Sequence, residues 1–199
     1  FVTLLNVRRE ELLDAYRRVL ASTFTSTAVY LARGHGTEHF ESPMGVGCLA
    51  LVDAASSGVL YTRDPLHPDE PVMLVNAIRG LGSYLVDGIL TPDVIHVSRE
   101  DRSVRVVSVA RESVQLVPDE DGGVVEASVP EGERDRPAVS DDQLRMLAGF
   151  ALRVEEHFGG PQDVEWAVDR DGRLFLLQAR PLRLVHRAAP APAPPEVRS

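Results

Sequence analysis

Two acids, an amide and an arginine near the end of the chain have the types and spacing for metal-assisted phosphate chemistry. They sit in Gln162-Asp163-Val164-Glu165-Trp166-Ala167-Val168 and Leu174-Phe175-Leu176-Leu177-Gln178-Ala179-Arg180-Pro181, which flank Asp169-Arg170-Asp171-Gly172. Both runs alternate with period 2, and the segment between them carries turn chemistry, so they read as a β-hairpin. With Val168 taken opposite Arg173, Asp163 falls opposite Gln178 and Glu165 lies diagonal to it on the same face. Carboxylates and an amide oxygen are hard ligands suited to Mg²⁺, and the Arg180 guanidinium can balance their charge or grip a phosphate. The other face is expected to carry Val164, Trp166, Val168, Phe175, Leu177 and Ala179, a surface that must pack on a core. A solvated outer face laced with cross-strand ion pairs would use the same polar residues, and a one-residue slip would scatter them. Spacing permits the metal–phosphate site and leaves the plain surface open.

The hairpin needs a platform, and the preceding chain supplies one. Ser140 with Gln143 forms a capping box, and Asp141 and Asp142 complement the helix dipole. From there Leu144, Leu147, Ala148, Ala151, Val154 and Phe158 recur at helical spacing until Gly159-Gly160-Pro161 ends the helix. Earlier, strands are expected at 45–52, 58–62 and 72–78, with Asp53-Ala54-Ala55-Ser56-Ser57 as a joining loop. More follow at 94–97, 104–109, 113–116 and 124–129. Arg79-Gly80-Leu81-Gly82-Ser83 reads as a glycine turn into a short helix; glycines there can turn backbone N–H groups to a phosphate, but two glycines favour a plain turn. Asn6 is expected to cap a helix over 7–20 with Leu12, Leu13, Tyr16, Val19 and Leu20 along one face. A second helix is expected over 25–33. His35 and His39 lie four apart, but in a glycine-rich stretch, and read as surface histidines rather than a metal pair.

Composition narrows the partners. The 199 residues carry a net charge of -9, which argues against a nucleic-acid footprint. All basic residues are arginine, so any phosphate chemistry that uses a lysine must draw it from elsewhere. A lone cysteine, Cys48, excludes an intramolecular disulfide and makes a reduced, cytoplasmic setting the expectation. No long apolar run suggests membrane insertion. The first residue is Phe1, which suggests a piece of a longer polypeptide. From Ala188 the Ala/Pro-rich composition is that of an extended spacer.

Several stretches together resemble one family. Residues 1–30 as a helical lead-in, Ala55-Ser56-Ser57-Gly58-Val59-Leu60-Tyr61-Thr62-Arg63-Asp64-Pro65, and Gly80-Leu81-Gly82 with Gly88 and Thr91-Pro92-Asp93 all contribute. Above all, Gln162-Asp163-Val164-Glu165-Trp166 with Leu177-Gln178-Ala179-Arg180-Pro181 is similar to the later part of the nucleotide-binding domain of phosphoenolpyruvate synthase, pyruvate phosphate dikinase and the rifampin phosphotransferases. The resemblance covers about residues 1–184. It implies an α+β fold of the ATP-grasp type, with a mixed, mainly antiparallel sheet and flanking helices, and with ATP held between two lobes. By matched position Glu165 and Gln178 are implied as Mg²⁺ ligands, and Asp163 as a nucleotide-site acid. Arg180 is implied as the phosphate contact with a catalytic role, and Leu49, Leu51 and Val52 as the adenine hinge.

The same resemblance implies an upstream lobe that brings a lysine and an arginine to the phosphates. This chain alone would then bind ATP feebly and turn nothing over. Residues 185–199 would tether a swivelling domain whose histidine carries a phosphoryl group to pyruvate. Ser83 stands where the family usually has glutamate, and Leu49 where it often has glutamine. A rifampin-type antibiotic phosphotransferase, or a nucleotide-binding or structural module without catalysis, remains the rival reading.

Overall fold

The computed structural model describes residues 2–34 and 44–184. After a short 3-10 turn come helices α1 (Leu12–Ala21) and α2 (Ser26–Gly34). Strands β1 (Ala54–Tyr61) and β2 (Val72–Arg79) follow, then the one-turn helix α3 (Ser83–Val86). Strands β3 (Asp93–Ser98), β4 (Val104–Ser108), β5 (Val114–Pro118) and β6 (Val124–Ser128) precede the long helix α4 (Asp141–Phe158). Strands β7 (Gln162–Asp169) and β8 (Leu174–Pro181) close the described chain. The expected histidine pair, His35 and His39, and the spacer at 185–199 lie outside the described residues.

Six strands form one sheet in the order β4-β3-β2-β1-β7-β8, and all its pairings are antiparallel. β5 and β6 make a separate hairpin joined to the rest by a parallel bridge between Gly80 and Leu116. This is an α+β architecture with a mainly antiparallel sheet and flanking helices.

One face of the sheet is closed by α4. The Ser140 capping box forms as the sequence predicts, and Gly159 ends the helix in the left-handed conformation at φ 72°. Leu144, Leu147, Ala148 and Ala151 pack on Leu60, Met73, Val75, Ile95, Val97, Trp166 and Val168, all buried. Phe158, expected on this stripe, is instead 60% exposed at the last position of the helix. Trp166 lies across Gly58 so closely that a Cβ there would stand 2.9 Å from its Cζ2 and 2.0 Å from the Asn76 carbonyl oxygen. Only glycine fits.

Residues 44–53, expected to hold a strand, form no helix or strand, and the expected loop Asp53–Ser57 is largely the start of β1. Ala-Ala-Ser-Ser has poor strand propensity, but β1 is central, hydrogen-bonded to β2 on one side and β7 on the other. Small residues suit a strand buried on both faces, so tertiary context overrides propensity. Ser57 there donates its hydroxyl to the Gly80 carbonyl at 2.6 Å.

Asn6 does not cap a helix. It adopts φ 51° and its Nδ2 donates to the carbonyls of Asp119 (2.7 Å) and Gly123 (2.8 Å), strapping the N-terminal segment to the β5–β6 hairpin. The Leu12, Leu13 and Tyr16 face of α1 is open to solvent.

A buried clamp ties the end of the sheet to α4. Arg99, just after β3, forks both oxygens of Glu155 at 2.7 and 3.1 Å and donates to the Thr62 carbonyl at the end of β1. Thr62 in turn accepts the Gln162 N–H on its hydroxyl at 2.9 Å and donates its own N–H to the Gln162 carbonyl. The edge from which Asp163 and Arg180 project is fixed by this network.

Candidate functional site

The hairpin forms, but its register differs from the expected one. Asp169, not Val168, faces Arg173: its N–H donates to the Arg173 carbonyl at 3.0 Å, and Arg170-Asp171-Gly172 makes a three-residue loop with Gly172 at φ 80°. A glycine in the left-handed region is what such a loop requires. Val168 therefore pairs with Leu174. A bulge between Glu165 and Trp166 shifts the register once more, so Glu165 faces Gln178 directly and Asp163 faces Arg180. The expected Asp163–Gln178 pair is not formed.

The two shifts also redistribute the apolar residues. Leu174 and Leu176 pair with Val168 and Trp166, whereas Phe175 faces Ala167 on the other side of the sheet. Leu177 falls in the bulge and is half exposed. Phe175 and Leu177 thus do not join Val164, Trp166 and Val168 as the alternation predicted.

The four polar residues nevertheless share one face, opposite α4. Gln178 Nε2 stands 3.4 Å from Glu165 Oε1, a long contact. Arg180 Nε donates to Asp163 Oδ2 at 2.8 Å, and its terminal amino groups have no protein partner among the described residues. The Asp163 carboxylate raises the Arg180 pKa, first through this hydrogen bond and then through its charge, so the guanidinium stays fully charged. Asp163 is 8% exposed, and its Oδ1 is buried without a partner. An orphaned carboxylate oxygen in such a place is costly unless a cation or donor visits it. Among the described residues no three His, Cys, Asp or Glu side chains gather as a metal cluster. The donor set is two carboxylates and an amide oxygen. That set fits Mg²⁺, which keeps several waters and binds through one or two carboxylates together with phosphate oxygens.

One neighbour of this row is given no site role by the sequence reading. Tyr61 of β1 is the cross-strand partner of Asp163, as Val59 is of Glu165. The phenol is half-buried; burial raises its pKa first, the Asp163 charge raises it further, and Arg180 pulls the other way. Only the β1–β7 register reveals this placement, and alternation within β1 alone could not.

The other expected site elements behave differently. Leu49 and Leu51 are exposed, at 91% and 38%, and Val52 packs beside Ala54, Leu81, Leu116 and Ala167. The Gly80–Gly82 turn does not offer its first amides to an anion. Gly80 N–H donates to the Ala55 carbonyl and Leu81 N–H to the Leu116 carbonyl, at 3.0 and 2.8 Å. A cavity of about 1010 Å³ lies between the N-terminal segment, α1, α3 and the β5–β6 hairpin, apart from the Asp163–Arg180 row. Its walls include Glu11, Asp14, Asp87, Asp121 and Glu126 against the single base Arg18, a field that repels a polyanion.

Comparison with known proteins identifies the family of the chain. The chain is 32% identical over 181 residues to a probable phosphoenolpyruvate synthase of Methanocaldococcus jannaschii, covering 90% of this chain and 15% of that protein. It is 37% identical over 181 residues to the rifampicin phosphotransferase of a Streptomyces species, covering 90% and 21%. It is 29% identical over 195 residues to the phosphoenolpyruvate synthase of Pyrococcus furiosus, covering 94% and 24%. The chain thus spans about a quarter or less of these relatives. The family model described as pyruvate phosphate dikinase, AMP/ATP-binding domain, matches residues 1–199, and the chain belongs to that family.

Proposed function

We propose that this chain is the ATP-binding part of a phosphoenolpyruvate synthase-type phosphotransferase. In this reading it holds Mg-ATP on the face of the sheet opposite α4. The β-phosphoryl group passes to a histidine on a mobile domain and thence to pyruvate, with the γ-phosphate released as inorganic phosphate and AMP left behind. The observation that carries the reading is Glu165 facing Gln178 beside the Asp163–Arg180 ion pair. Family membership supports ATP as the ligand.

Glu165 and the Gln178 amide oxygen are the Mg²⁺ ligands in this proposal. When bound, the ion would neutralise charge on the phosphate oxygens. Asp163 grips Arg180 by Nε, which leaves the terminal amino groups to take phosphate oxygens in a fork. Leu49, Leu51 and Val52 supply the hinge against which the adenine lies. Residues 1–184 form one lobe of an ATP-grasp domain in this account, and residues 185–199 tether the mobile domain. The chain has no lysine, so a phosphate-binding lysine must come from another part of the protein. The cytoplasm is the proposed compartment. Among the described residues no helix is long and apolar enough to cross a membrane.

The 37% identity to a rifampicin phosphotransferase favours a second reading, the same ATP site serving an antibiotic acceptor. Full-length protein incubated with Mg-ATP and either pyruvate or rifampicin separates them. Phosphoenolpyruvate is the expected product. Phosphorylated rifampicin without phosphoenolpyruvate would favour the second reading. Neither product, with no magnesium-dependent ATP binding, would overturn both and leave a module without catalysis, in line with Ser83 and Leu49.

A further inference from the structure

We propose that the outer face of α4 is a docking groove for the Ala/Pro-rich segment 188–195 of this same chain. An amphipathic helix that gives one face to a core carries polar residues on the other. α4 departs from this. Met146 and Phe150, four apart and so on one line, are 51% and 37% exposed on the side away from the buried Leu144, Leu147, Ala148 and Ala151. Together with Gly149, Arg153, Glu156 and Arg102 of the β3–β4 turn they line a groove of about 420 Å³. Gly149 keeps it open, since a Cβ there would stand 3.3 Å from Arg102 Nη1. His157 is next on the same line, and the Phe158 ring meets it edge-on with centroids 4.9 Å apart, which prolongs the aromatic surface to the end of the helix.

Composition and reach select the occupant. Ala188-Ala189-Pro190-Ala191-Pro192-Ala193-Pro194-Pro195 has polyproline II composition, and such segments dock in aromatic-lined grooves because they have little entropy left to lose. The described chain also ends in the right place. Pro181 pairs with Gln162, and the Leu182 N–H donates to the carbonyl of Pro161, just past the end of α4, at 2.8 Å. From Leu184 to Pro190 the chain can span up to about 20 Å, enough to come round to the C-terminal end of the helix. As polyproline II, Pro190 to Pro195 measures about 16 Å. The line from Met146 to His157 on an α-helix measures about 16 Å as well.

Charge agrees with length. The guanidinium groups of Arg102 and Arg153 make no hydrogen bond or ion pair among the described residues, although both border the groove. Glu196, the one acid in 185–199, directly follows the last proline and brings a carboxylate to them. Docking draws the segment along α4, behind the sheet as seen from the Asp163–Arg180 row, and so sets the direction in which the chain continues from Leu184. The inference stands apart from the nucleotide reading of the opposite face.

The test uses the full-length protein and reads both sides of the contact. Hydroxyl-radical labelling followed by mass spectrometry reports on Met146 and Phe150. Changing Pro190, Pro192, Pro194 and Pro195 together to glycine keeps the length but removes the stiff conformation, and should raise labelling of both residues severalfold at an unchanged melting temperature. In the reverse direction, trypsin should cut after Arg187 about tenfold faster in Phe150→Gln, the scale of one lost aromatic anchor, because cleavage follows the undocked population. Equal labelling with and without the prolines overturns the inference: strong in both, the groove is empty; weak in both, a second copy or another part of the protein fills it. Unchanged cleavage in Phe150→Gln overturns it as well.

Discussion

The Arg99–Glu155 clamp invites a quantitative test, because it fixes the strand end from which the proposed site projects. Both side chains are largely buried, at 14% and 16% exposure, and the guanidinium spans Glu155 and the Thr62 carbonyl. Breaking one half of such a pair strands a charge. Arg99→Met or Glu155→Leu should each destabilise by about 3 kcal/mol, the lower end for a buried pair that loses one partner. In a domain of this size that lowers the melting temperature by roughly 6–12 °C. The double variant should cost less than either single change, since an apolar pair strands no charge.

The pH dependence follows with a definite sign. Burial alone would raise the Glu155 pKa, but the hydrogen bond from Arg99 and further contacts outweigh it and hold the carboxyl below its ordinary value. A depressed acid contributes stability that is complete above the ordinary glutamate pKa, ~4.3, and lost as pH falls through the lower folded value. The wild type should therefore lose stability in that acid range more steeply than the double variant. Differential scanning calorimetry of the transition containing this domain measures both effects. Additive single costs, or singles that melt like wild type, would refute the reasoning that the clamp is a buried, mutually dependent pair.

Two other expectations concern the frame. Gly58→Ala should destabilise by about 2–3 kcal/mol, because its methyl would meet the Asn76 backbone and the Trp166 ring, and chemical denaturation reads the loss. Asn6→Gly keeps the left-handed backbone but removes both side-chain hydrogen bonds to the β5–β6 hairpin, costing about 1–2 kcal/mol. Hydrogen exchange should then quicken at the Asp119–Gly123 turn while β7 stays protected.

Much of this architecture was legible in the residues. The α4 stripe, its capping box and its glycine stop are local signals, and helix and caps appear where they point. The strands of the sheet were legible where β-branched residues alternate, as in β2 and β3. β1 was half missed because Ala-Ala-Ser-Ser looks like a loop until two neighbouring strands bury it. The hairpin's register was not legible, since one shift comes from a three-residue loop and the other from a bulge that no alternation announces. Those shifts spared the polar cluster because they carried Glu165 to Gln178 and Asp163 to Arg180 while keeping all four on one face. Tyr61 escaped because its place beside Asp163 depends on which strand lies next to β1, which is long-range information.

The account stands on Glu165 and Gln178 acting together on a magnesium-bound triphosphate. Calorimetric titration of the full-length protein with ATP, with and without Mg²⁺, tests this most directly when repeated on Glu165→Ala and Gln178→Leu. The account predicts magnesium-dependent binding in the wild type and a loss of at least about 100-fold in each variant at an unchanged melting temperature, since even indirect metal contacts cost 10–100-fold. Variants that bind Mg-ATP as the wild type does would contradict it.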